Sequence, residues 1–306
     1  MVGLVLALTA ALSWGVSDFL GGLATRDSPV IRVLAVSQPV GLAGCSVALL
    51  ASGQSLPSGW HLVQALAAGL AAVLALGMLY LALARGKAVI VAPVAAVGAA
   101  VPVAVGIALG DPVTVVTGTA TVLALAGIVA ASWETDEPDA PPGASGAATV
   151  ALSLGAALAT GLYLTLIDLA SESGQYFGVV EALRLAASVS AVGAFLCWRV
   201  ILRRRGGTTR QVAAWHVDGD GLVGVARRRA LLLTMAGVGL TDAAAEICYA
   251  WASTHAALSV VAVLAGLYPV VTVALSLLVL RQRIRLVQGI GAAAALTGVL
   301  LFTASS

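Results

Sequence analysis

The sequence predicts an all-α integral membrane protein, with ten transmembrane helices forming two inverted five-helix repeats. Three observations carry that prediction: scarce charge, apolar runs of bilayer length, and basic residues that recur in alternate loops. Of 306 residues, 60% are hydrophobic and only 10% charged, and mean hydropathy is +1.03. A soluble domain carries about 25% charged residues to cover its surface. A chain this poor in charge must show apolar side chains to another solvent, and the lipid bilayer is that partner.

The first run, 2–24, has no Lys or Arg before it, so it reads as a retained helix rather than a secretory signal. Further runs follow at 31–51, 61–84, 88–109, 113–132, 148–170, 177–201, 230–252, 256–280 and 284–303. Each is close to the roughly 20 residues that cross about 30 Å of hydrocarbon at 1.5 Å per residue. Two connections are long. Residues 133–147 (WETDEPDAPPGASGA) are acidic and rich in Pro and Gly, which suits a linker between a first half, 1–132, and a second, 148–306. Arg203 to Arg229 form a basic loop. Cys45, Cys197 and Cys248 all fall in apolar runs, so neither a disulfide framework nor a zinc site is expected.

The halves resemble each other. At one constant offset Leu125-Ala126-Gly127-Ile128 lies over Leu296-Thr297-Gly298-Val299, and Asp111 over Gln282; with a short gap Tyr80 falls over Tyr249. Charge adds an independent argument. Of the 16 basic residues, Arg184 alone lies well inside a predicted span. The rest flank the first and third loops of half one and the second and fourth loops of half two. Five helices per half would invert the second half and keep all of this charge on one side, the pattern of an inverted repeat. The positive-inside rule makes that side cytoplasmic and places both termini outside.

Half two ends with Leu267-Tyr268-Pro269, an apolar run, Arg281-Gln282-Arg283-Ile284-Arg285, Gln288-Gly289-Ile290-Gly291 and Leu296-Thr297-Gly298-Val299-Leu300. Half one repeats the turn as Gly110-Asp111-Pro112, and Trp14-Gly15 stands in the first helix. This pattern resembles the EamA-like permeases of the drug/metabolite transporter superfamily, across essentially the whole chain. The resemblance implies ten helices, pseudo-twofold architecture, and transport of metabolites or drugs, often by efflux from the cell across its membrane. The family's turn glutamate is Asp111 in one half and Gln282 in the other. Many relatives keep both termini in the cytoplasm, against the charge reading here.

A charge at the centre of a membrane helix costs about 2.5–3.5 kcal/mol on insertion scales, so each one requires a reason. Asp242 and Glu246 are four apart in the eighth span, hence on one face, and Tyr249 and Ser253 extend the stripe. Such a stripe suits cation binding or proton coupling, because adjacent carboxylates disfavour each other's charged form. The alternative is a buried hydrogen-bond network that locks helices together. In the first span Trp14 and Asp18 pair an aromatic with a carboxylate, which suits an organic cation. Glu181 and Arg184, three apart, are expected to neutralise each other. Pro93 and Pro102 in the fourth span, and Gly266 and Pro269 in the ninth, mark broken helices or hinges around a midplane site. Tyr80, Tyr249 and Tyr268 are candidate pocket walls. Gly106 and Gly110 form a small-xxx-small pair that permits close helix approach.

The basic loop reads as an orientation signal rather than a nucleic-acid site. No P-loop and no H-E-x-x-H pattern occurs, and His61, His216 and His255 lie in loops or at helix ends. No catalytic residue, metal or cofactor is therefore expected. The sequence points to a secondary transporter of a small-molecule substrate, with protons as the coupling ion. A non-transporting scaffold or receptor, or an intramembrane enzyme using Asp18 and Asp242, stays open at this point. The oligomeric state is not legible.

Overall fold

A bilayer offers no hydrophobic drive for helix association, so packing there depends on small residues that let backbones approach. The computed structural model describes residues 1–85, 98, 100–111, 114–131, 146–204, 222–280 and 286–305, and among them it is helical throughout, without strands. The helices are α1 (Val2–Asp27), α2 (Val30–Ser52), α3 (Gly59–Arg85), α4 (Ala100–Leu109), α5 (Val115–Ala131), α6 (Gly146–Ser171), α7 (Tyr176–Arg204), α8 (Leu222–Ser253), α9 (Leu258–Ala265), α10 (Tyr268–Leu280) and α11 (Leu286–Ser305). Six of them contain stretches long and apolar enough to cross a membrane, in α1, α2, α3, α6, α7 and α8.

Side-chain size is distributed as lipid exposure demands. The interior is largely alanine, including Ala7, Ala10, Ala11, Ala65, Ala68, Ala71, Ala156, Ala157, Ala187 and Ala191. The exterior carries Val5, Leu12, Leu50, Leu70, Leu74, Leu154, Leu158, Leu162, Val189 and Leu196. A water-soluble bundle would reverse that order.

Glycines set the closest crossings. A Cβ on Gly239 would run into the Ser37 carbonyl and lie 3.0 Å from the Gly41 nitrogen, so α8 rests on α2 backbone to backbone. Gly69 similarly places α3 against the Leu183 carbonyl of α7, and Gly298 sets α11 on α5 at Ala120 and Ala124.

Contacts along each pair fix direction. On α8, α1 runs antiparallel: Gly3 abuts His255 and Ala256, Ser17 bonds the Val238 carbonyl at 3.1 Å, and Asp27 pairs with Arg227. On α6, α3 does the same, from His61 against the Leu169 carbonyl at 3.1 Å to Met78 against Gly155. Following the chain from these pairs, Arg32, Arg199, Arg204 and Arg227 to Arg229 gather at one end of the bundle. Met1 and Ser305 lie at the other.

The ninth span, expected over 256–280 with Gly266 and Pro269 marking a break, divides at Gly266-Leu267 into α9 and α10. The Gly266 N–H still bonds the Ala262 carbonyl at 2.9 Å, and Pro269 falls in the first turn of α10, where a missing N–H costs nothing. Gly106 and Gly110 do not act as a helix-packing pair. Gly106 leaves room for the Asp111 carboxylate and the Ser259 nitrogen, while Gly110 adopts φ 107 and faces open space. Asp111 Oδ2 thereby accepts from Ser259 N–H at 2.9 Å, capping α9 from the other half of the chain.

The glycine contacts are testable. At Gly69 an added Cβ would meet Ala186 Cβ at 2.9 Å and Ala187 N at 3.1 Å, whereas at Gly193 nothing lies within 4 Å. Gly69→Ala should lower unfolding stability by about 1–3 kcal/mol, the range for overpacking. Gly193→Ala should not lower it. Thermal melts in bicelles compare the two, and equal melts would refute the α3–α7 crossing.

Candidate functional site

Where α2 and α8 cross at Gly41 and Gly239, the missing side chains leave a slot, and Arg184 of α7 fills it. A Cβ on Gly41 would lie 3.0 Å from Arg184 Nη1. The guanidinium is 0% exposed. Its Nη1 donates to Gln38 Oε1 at 2.9 Å, and its Nε donates to Glu246 Oε2. Nη2 stands 2.9 Å from Asp242 Oδ2 but off-line, so this contact is a charge pairing rather than an aligned hydrogen bond. The second oxygen of Glu246, Oε1, accepts from Tyr163 O–H of α6 at 2.8 Å. Four helices thus meet on one buried ion cluster.

The two carboxylates of α8 differ sharply. Glu246 is 3% exposed with both oxygens engaged, whereas Asp242 is 19% exposed and held through one oxygen only. The expected Glu181–Arg184 pair does not form. Glu181 Oε1 accepts instead from Ser46 Oγ of α2 at 2.7 Å, because the two side chains, though three residues apart, reach different parts of α2.

One turn along α8, Tyr249 packs on Trp14 with ring centroids 5.5 Å apart. Trp14 also meets Tyr163 at 6.4 Å and Tyr268 of α10 at 6.3 Å, both edge-on. These rings come from α1, α6, α8 and α10 and form a single aromatic cluster beside the ion cluster. Ser253, at the end of the stripe, donates back to the Tyr249 carbonyl of its own helix at 3.2 Å.

Asp18 lies one turn beyond Trp14 and is exposed, although Ser17 and Phe19 on either side are buried. Its exposure is not to lipid. The lipid stripe of α1 is Val2, Val5, Thr9 and Leu12, and at 3.6 residues per turn Asp18 points about 160° away from it. Ser17 turns toward α8 at Val238 and Gly15 toward α10 at Val271 and Tyr268, so Asp18 points between those helices. Gly22, a turn nearer the basic end on the same face, is exposed, and a Cβ there would meet nothing within 4 Å. Asp18 interacts electrostatically with Asp242 and Tyr268.

The structure brings together Trp14, Asp18, Asp242, Glu246, Tyr249 and Tyr268. The Tyr80 side chain and Pro93 lie outside the described residues. Pro102 is buried in the first turn of α4, and Gly266 stands at the break between α9 and α10. Sequence reasoning missed Gln38 and Tyr163 and misassigned Arg184. The signal for Arg184 was present, since it is the only basic residue within a span. Nothing in the sequence distinguishes Tyr163 from a packing tyrosine.

Removing the guanidinium strands two carboxylates in a dry interior. Arg184→Met should cost about 3–5 kcal/mol of unfolding stability. Adding Glu246→Gln to it should recover part of that loss. A double-mutant cycle on denaturant unfolding measures this, and strict additivity would contradict the pairing.

Comparison with known proteins adds the lineage. Among curated proteins no relative matches. One solved structure, described as "Crystal structure of protein", is 16% identical, covers 99% of this chain and 98% of its own, and superposes with a TM-score of 0.71, which establishes a shared fold. The model of the EamA-like transporter family matches residues 147–304. The chain is a multi-pass membrane protein and belongs to the EamA-like transporter family.

Proposed function

We propose that the chain is a proton-coupled secondary transporter of ten membrane-spanning segments, two inverted repeats over 1–132 and 148–306 joined by the 133–147 linker. It exports a small amphipathic or cationic molecule across the cell membrane by alternating access. The pattern of helix contacts supports the repeat. Exchanging the halves turns the α1–α8 contact into α6–α3, α2–α8 into α7–α3, and the packing of α1 on α9 and α10 into that of α6 on α4; all of these contacts occur. The contacts α2–α7, α4–α9 and α5–α11 map onto themselves, as contacts along a pseudo-twofold axis must. In this count α9 and α10 are one broken span that turns at Gly266, just before Pro269, and Pro102 lies in the first turn of α4.

The observation that carries the functional reading is Asp18: an exposed carboxylate on an inward face, below an aromatic cluster and beside Asp242. Asp242 and Glu246 pair with one guanidinium, and Asp18 lies a turn beyond the aromatic cluster, so among the described residues three carboxylates stand against one cation, an excess of two negative charges when all are ionised. A positive substrate or protons would balance that excess, and Trp14 and the tyrosines supply ring faces for an organic cation. Protons and substrate competing for the same carboxylates would drive exchange.

Reconstituted protein in liposomes with an imposed pH gradient should accumulate members of a panel of labelled amines and quaternary ammonium ions against their gradients. Asp18→Asn should reduce this to background while the protein inserts normally. A scaffold, receptor or enzyme would give no substrate-dependent flux. Uphill transport that survives Asp18→Asn would exclude the carboxylate from coupling.

Orientation has its own test. With the basic end cytoplasmic, Ser305→Cys in an otherwise cysteine-free chain should react with an impermeant thiol reagent in intact cells, and Gly206→Cys should not. The opposite labelling would put both termini in the cytoplasm.

A further inference from the structure

At the basic end of the bundle, where α2 begins, two polar side chains are buried. Ser28 is 5% exposed and its Oγ has no hydrogen-bond partner among the described residues, and Arg32 is 2% exposed. A buried hydroxyl without a partner is destabilising, so its presence asks for a reason.

Both residues belong to the start of a 23-residue helix. Pro29 is the N-cap of α2, which has no side-chain cap and no acidic residue in its first turn. The first N–H groups of a helix have no intrahelical acceptor and carry the positive end of its dipole. Arg32 N–H and Val33 N–H bond back to the Pro29 carbonyl at 2.9 and 3.2 Å, which leaves Val30 and Ile31 without an intrahelical acceptor. Ser28 precedes the cap, and a side chain there lies back over the first turn toward the fourth helical residue, here Val33. Val33 is buried and packs with Ala24 and Met235, so this turn is held in place. A hydroxyl, two amides and a guanidinium, all of them donors, thus share one turn of helix.

The charge around this turn is positive. Among the described residues Asp27 is the one carboxylate at this end, and Arg227 pairs with it. On the other side stands α7. Gln54 bonds Phe177 and Ser46 bonds Glu181, so α2 and α7 run antiparallel, and Arg32 comes level with residues 195–199. The electrostatic neighbour of Arg32 is Arg199, a like charge. Leu196 and Val200, beside Arg199 on α7, are exposed, which brings lipid to the same level.

We propose that Ser28, Arg32 and the first amides of α2, with Arg199 beside them, form a binding site for a phosphate oxyanion at the basic face of the membrane. Helix N-termini attract anions, and a guanidinium fork matches phosphate oxygens. An anionic phospholipid headgroup and free phosphate share this chemistry. The site lies apart from the ion cluster of Arg184 and stands whether or not the chain transports.

Intact-protein mass spectrometry of the full chain resolves the first bound lipid when dioleoylphosphatidylglycerol is added, with dioleoylphosphatidylcholine as the neutral comparison. The anionic lipid should bind more tightly. Arg32→Gln should weaken it about tenfold or more, as loss of a charged hydrogen bond implies. Ser28→Ala should weaken it about threefold, and decides the matter if Arg32→Gln fails to fold. Arg204→Gln, exposed at the same end, should change it by less than about twofold. Inorganic phosphate added as competitor separates the sources: displacement of the lipid shows that the site accepts the free ion, and failure to displace it assigns the site to the headgroup. The proposal is overturned if the two lipids bind alike and inorganic phosphate does not bind. It is equally overturned if Ser28→Ala leaves the affinity unchanged, or if Arg204→Gln costs as much as Arg32→Gln.

Discussion

A guanidinium carried to the middle of a membrane protein must arrive with its counter-charges, because neither lipid nor dry protein can solvate it. Most of this bundle's polar architecture follows from that demand. Arg184 needs space beside α2, which Gly41 and Gly239 provide by bringing two backbones together. It needs negative charge, which α8 supplies twice from one face through Asp242 and Glu246. It needs its remaining donors engaged, and Gln38 takes one. Tyr163 then satisfies the carboxylate oxygen that the guanidinium leaves over. The register of α2, α6, α7 and α8 is thereby tied to one side chain, and a slip of any of them would leave a buried charge unpaired.

Alanine and glycine interiors make the same point in apolar terms. Helices that pack through small residues approach closely and lock over long lengths, as α1 does on α8 and α3 on α6. Where that contact opens, the exception stands out. On α1 the face between α8 and α10 carries at Trp14 an indole touching three tyrosines, and one turn later the exposed Asp18 and then Gly22.

How much of this was legible depends on range. Span positions were readable because hydrophobic length is a local property. The break in the ninth span was legible for a local reason as well: Gly266 and Pro269 announced it, and because proline is tolerated in a first turn the chain turns ahead of Pro269, at Gly266-Leu267. Pairing partners were not legible. Glu181 and Arg184 are neighbours on one helix, and spacing alone favours them, whereas the partners actually chosen lie 58 and 62 residues away along the chain, on α8. Tertiary contact decides which carboxylate meets a buried arginine. Asp18 was suggested by its proximity to Trp14, but its exposure toward the interior emerges only from the packing of α1.

The two ends of the bundle are also unlike each other in this structure. At the end carrying Met1, Asp111 caps α9 across the halves, and Gly3 sits hard against His255 and Ala256. At the basic end, Gly22 is exposed on the face below Asp18. On the transport reading proposed above, two repeats related by a pseudo-twofold axis would supply a second state, because each half could take up the packing its mate shows now. On that reading α6 would loosen from α4 as α1 closed over α10. Were α2 and α7 to meet on that axis, the ion cluster could persist in both states. Arg184 divides the two carboxylates of α8: it holds Glu246 by a hydrogen bond, while Tyr163 engages the other oxygen, and it holds Asp242 by charge alone.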